Sequence, residues 1–203
     1  MNIRLAVIVL ALALGPLAGS AAAAPPVREH TATAVAGTFI TDCPPGADRC
    51  TDTALMLFVD GRLARACLDI YTYDPTAGRL LTHETGCSSV TEGRFTYDTK
   101  SLSGAAFSAT TIQMQELVCD SSLVCQPSGR PDRSVVVAAT YTGVGEVSTF
   151  RANRKSTYKN CTMYFNGKGS SREAAASATI DGETHEAPGF LNASTQKFRV
   201  LCR

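Results

Sequence analysis

Eight cysteines, all at or beyond position 43, constrain this chain more than any other feature. An even number of thiols downstream of an export-like leader predicts disulfides formed in an oxidising compartment. The leader is short and ordered. Arg4 supplies a positive charge, residues 5–14 form an apolar run too short to span a bilayer, and Gly15-Pro16 breaks the helix. Small residues follow, which predicts a secretory signal peptide over residues 1–23, cut after Ala23. The expected product is secreted and extracellular, with no membrane attachment after cleavage. Arginine outnumbers lysine and alanine is abundant, as in a high-GC bacterial genome.

The mature segment, 24–203, is long enough to bury roughly 70% of its unfolded surface. Disulfides in such a chain tie down loops and strand ends instead of replacing a core. Eight cysteines allow on the order of a hundred pairings, and spacing favours one set. Cys43 with Cys50 and Cys119 with Cys125 each flank a turn-like loop. Cys67 and Cys87 bracket a strand–loop–strand segment, and Cys161 with Cys202 would pin the last strand to the sheet.

The pattern between the cysteines reads almost entirely as strands. Residues 63–73 alternate Ala64, Ala66, Leu68 and Ile70 with Arg65, Cys67, Asp69 and Tyr71, so one face of that segment is buried. Further strands are expected over 31–41, 54–59, 80–85, 94–98, 106–118, 134–142, 147–152, 158–165, 174–180 and 196–202. Asp60-Gly61, Asn166-Gly167 and Asp181-Gly182 are hairpin signals, and Gly143-Val144-Gly145 reads as a fourth turn. About a dozen short strands at this spacing predict an all-β, disulfide-stabilised antiparallel β-sandwich. The mature segment is expected to form one continuous β unit, and the turn-rich stretch 119–133 is the sub-boundary of the alternative, two packed β halves.

Most site chemistries find no footing in the motifs. No Cys-x-x-Cys is present for zinc or thiol redox work, and His-Glu-x-x-His and Gly-x-Ser-x-Gly are absent. Asp42, Asp48 and Asp52 cluster without the spacing of an EF-hand loop. No metal, cofactor or catalytic residue is therefore expected. Two alternatives to a binding or structural role remain: an extracellular hydrolase built on paired carboxylates, and a protease inhibitor presenting the loop 126–133.

One asymmetry stands out. From residue 24 to Val118 the chain carries 7 basic and 11 acidic residues, and from Cys119 onward 11 basic and 7 acidic. Arg151, Arg154, Lys155 and Lys159 lie close together, with Lys168 and Arg172 after them. This cluster is the candidate surface for an anionic extracellular polymer or a protein partner. The competing expectation is arginine and lysine blunting a sheet edge against aggregation. Nucleic acid is not an expected partner, because overall charge is near neutral and no aromatic–basic ladder accompanies the cluster.

Overall fold

The computed structural model describes residues 27–120 and 124–202; the expected export signal, 1–23, lies outside them. Among the described residues there are ten strands: β1 Val27–Asp42, β2 Cys50–Asp60, β3 Leu63–Asp74, β4 Arg79–Val90, β5 Phe95–Tyr97, β6 Gly104–Cys119, β7 Cys125–Pro127, β8 Arg133–Tyr158, β9 Cys161–Ile180 and β10 Glu183–Cys202. The described residues are all-β and antiparallel, with four disulfides, as alternation and cysteine spacing predict.

The sheet runs β4-β3-β2-β1-β10-β9-β8-β6, and β4 then pairs with β6, so eight strands close into a ring. Its walls pack face to face as sandwich layers do, but without a free edge at that seam. Closure depends on a close approach. A Cβ on Gly86 would collide with the Gln113 carbonyl oxygen, so glycine is what lets β4 lie against β6. Ion pairs reinforce the seam: Arg133 contacts Glu84 at 2.6 Å and Asp181 at 3.5 Å, linking β4, β8 and the β9–β10 turn.

Alternating side chains fill the ring. Val135, Val137, Ala139 and Tyr141 of β8 point inward, as do Leu55, Leu57, Leu68, Ile112, Met114 and Leu191 from neighbouring strands. Alanines at 34, 36, 64, 66, 174, 176 and 178 make room for the larger residues. Tyr141 reaches across the interior and donates its hydroxyl to the Leu55 carbonyl at 3.1 Å. Burial, with Tyr97 nearby, pushes its phenol well above the ordinary tyrosine range.

The segment between β4 and β6 folds under one end of the ring and brings β5 with it. The Tyr97 hydroxyl lies 2.9 Å from the carbonyls of Val35 and Asn192 and accepts from the Asn192 amide at 2.9 Å. Burial raises its pKa to about 12. Asp98 holds the same segment together by accepting from the Ser101 and Ser103 hydroxyls and from the Lys100 and Ser101 amides. Those donors keep its carboxyl far below the usual range.

Two expected turns are strand interior. Gly143-Val144-Gly145 does not reverse the chain. It is the start of a bulge in one continuous β8, where the β9 register shifts between Val144 and Ser148. Gly145 takes the left-handed φ of 69°, and its carbonyl accepts from the Arg172 guanidinium at 3.1 Å. Asn166-Gly167 also lies mid-strand. The reversal falls at Lys159-Asn160, with Tyr158 paired to Cys161 and Lys159 at φ 51°. A turn at 166–167 would leave β10 without its partner from Gln196 to Cys202 and part Cys161 from Cys202, which face each other directly.

The disulfides are Cys43–Cys50, Cys67–Cys87, Cys119–Cys125 and Cys161–Cys202, the set that spacing favours. Three of them join directly opposed residues on neighbouring strands. Four such bonds are typical of extracellular proteins.

Candidate functional site

The lengths of β8, β9 and β10 create the site. β6 stops pairing with β8 at Gly104–Thr142, yet β8 and β9 continue together to Tyr158–Cys161. Likewise β2 leaves β1 at Asp60–Thr33, while β1 and β10 stay paired to Val27–Val200. A four-stranded apron, β1-β10-β9-β8, therefore projects beyond one mouth of the ring.

Strand alternation carries the ring's inward face straight onto this apron. In β9 the inward set Ala174, Ala176 and Ala178 continues by twos to Lys168, Asn166 and Tyr164. In β10 the set that includes Leu191 continues to Lys197, Arg199 and Leu201. Register then stacks the three strands into rows. Lys155, Tyr164 and Arg199 form one row, Asn153, Asn166 and Lys197 the next, and Arg151, Lys168 and Thr195 the third. Neighbouring strands are about 4.8 Å apart and rows about 6.7 Å apart, so five cations share a patch of roughly 10 by 13 Å. All five are exposed. At one end Tyr164, Asn166, Lys197, Arg199 and Leu201 line a pocket of about 400 Å³. The Lys155 ammonium lies 5.8 Å from the Tyr164 ring centroid, within cation–π range.

Among the described residues, no ion pair joins a carboxylate to these five cations. The chain has no Asp or Glu from Val147 to Arg172 or from Ala187 to its end, yet holds nine Lys and Arg there. Unit charges about 10 Å apart repel by about 0.4 kcal/mol per pair in water. Physiological salt, with a Debye length of about 8 Å, reduces that further. The fold tolerates the patch at small cost, and an anionic partner would relieve it.

The four residues singled out from sequence divide. Arg151 and Lys155 join the basic face. Arg154 pairs opposite Phe165 on the other face, and Lys159 occupies the turn, its ammonium 5.5 Å from the Tyr158 ring. That other face is apolar: Phe165 and Phe198 pair across strands, and Phe150 lies against Gly169. Lys168, Lys197, Arg199 and Tyr164 complete the basic face, and three of these four were missed. Their signal was present as polar residues at every second position, 151-153-155, 164-166-168 and 197-199. With a turn at 166–167 those triplets never come into register.

Other polar clusters lie elsewhere. Glu84 and Glu116 face each other across the β4–β6 seam, but Arg133 and Arg130 engage them as ion pairs at 2.6 and 3.1 Å. On the outer wall His83 contacts Asp69 at 2.9 Å and stacks on Tyr71, centroids 4.3 Å apart. Among the described residues, no group of three His, Cys, Asp or Glu is placed to hold a metal ion.

The fold and site together define a closed eight-stranded antiparallel barrel bearing a basic, half-open apron. No protein-family model matches the chain, and no curated protein or solved structure is significantly similar to it.

Proposed function

We propose that this chain is an exported bacterial protein, cut from its signal after Ala23, that works outside the cell by binding an anionic polymer on the apron. It acts without catalysis. The apolar leader and the four disulfides support the extracellular setting.

One observation carries the binding reading. Charge on Arg151 and Lys155 alone has an explanation in edge protection, because β8 pairs only with β9 along the apron. Lys168, Lys197 and Arg199 have none, since β9 and β10 are each paired on both sides. A strand interior gains nothing from unpaired cations, whereas a surface that gathers a polyanion gains affinity and association rate.

The test is binding of the mature protein to immobilised dextran sulfate and to neutral dextran. The wild type is expected on the sulfated polymer alone. A variant with Arg151, Lys155, Lys168, Lys197 and Arg199 all changed to Gln is expected on neither, with its melting temperature unchanged or higher. Equal retention of wild type and variant would refute the proposal.

A further inference from the structure

We infer that the anionic partner is an acidic polysaccharide, held with a sugar ring against Tyr164 and its carboxylates on the flanking cations. This rests on the polyanion reading above and adds the chemistry of the repeating unit.

The row Lys155–Tyr164–Arg199 places an aromatic ring between two cations on adjacent strands. Tyr164 is 39% exposed, which leaves side-chain surface open to a ligand. A sugar presents C–H groups on one face that suit an aromatic platform. A carboxylate on that sugar then falls within reach of the Arg199 fork or the Lys155 ammonium. The next row supplies two amides, Asn153 and Asn166, beside Lys197. Amides donate and accept at once, which is what sugar hydroxyls require. The pocket formed by Tyr164, Asn166, Lys197, Arg199 and Leu201 is thus apolar at the ring and at Leu201, and polar between them.

A simple polyanion does not use this set. Polyphosphate would engage the five cations and leave the ring and both amides without partners. An acidic polypeptide would place carboxylates on flexible stems and again offer no ring to Tyr164. Rows about 6.7 Å apart also present cations at regular intervals along the strands, matching a linear polymer charged on every unit.

Three probes at matched charge decide the matter: polygalacturonate, poly-glutamate and inorganic polyphosphate, each titrated by calorimetry. Polygalacturonate is expected to bind the wild type about tenfold more tightly than the other two. Tyr164→Leu should lose that about tenfold preference while binding poly-glutamate as before, which shows that the variant is folded. Tyr164→Phe should retain the preference. Equal affinity for all three probes, or indifference to Tyr164→Leu, would overturn the sugar inference and leave the polyanion reading standing. Failure of every probe to bind would overturn both.

Discussion

Tyr97→Phe isolates one hydroxyl that seals an end of the ring. The phenol lies 2.9 Å from the carbonyls of Val35 and Asn192 and accepts from the Asn192 amide at 2.9 Å, so it is wedged into the β1–β10 ladder. A single proton serves one carbonyl at a time, so deletion of the oxygen strands one amide and one carbonyl. Each partly buried group left unpaired costs about 1–3 kcal/mol, which gives a loss of about 2–6 kcal/mol for the two. For a chain of this length that lowers the melting temperature by roughly 5–25 °C. Urea titration followed by circular dichroism is the assay, and the midpoint should fall with the slope unchanged. Tyr158→Phe, at a residue 67% exposed, is the control and should shift stability by less than about 0.5 kcal/mol.

The same residue makes a pH prediction. Burial raises its folded pKa from the ordinary 10.0 to about 12. Its contribution is therefore full below pH 10.0 and lost as pH rises through about 12. The wild type should lose stability over that interval more steeply than Tyr97→Phe. A Tyr97→Phe protein as stable as the Tyr158→Phe control, with an identical alkaline limb, would refute the account of this seal.

Two further substitutions probe the frame. Gly86→Ala drives a methyl group into the Gln113 backbone at the β4–β6 seam, so it should destabilise by about 1–3 kcal/mol in urea titration. Stability equal to wild type would mean that the seam is not close-packed. Replacing both Cys161 and Cys202 with Ser removes a link across a sequence separation of 41, worth about 4 kcal/mol in the chain-entropy model. The loss should register as faster amide exchange at the apron tip ahead of the ring, and uniform exchange across both would contradict it.

Much of the frame was legible because local chemistry and tertiary structure agreed. Asp181-Gly182 turns where its dipeptide says it should, with Asp181 at φ 50° and Gly182 at φ 88°. The inward alanines of β9 alternate as a half-buried strand requires. The cysteines pair locally, because each pair closes a hairpin or a strand neighbourhood. What stayed hidden depends on contacts between distant segments. Gly143 looks like a turn residue, but it is glycine because Leu102 and Arg172 pack where its side chain would lie. Gly167 follows an asparagine, yet it sits within a continuous strand, where the Phe165 ring lies 3.1 Å from the place a Cβ would take. Ring closure through β4 and β6 leaves no mark in strand periodicity. The basic face was hidden for a related reason: Lys155 meets Tyr164 and Arg199 only once the turn is placed at Lys159-Asn160.

The most direct test of the apron is the salt dependence of dextran sulfate binding by two double variants of equal charge. Lys197→Gln with Arg199→Gln removes two cations from the basic face, whereas Arg154→Gln with Lys159→Gln removes two that lie off it. The plot of log affinity against log salt should become shallower by about two for the first variant and stay parallel to wild type for the second. Equal changes in both would mean that net charge, and not this face, holds the partner.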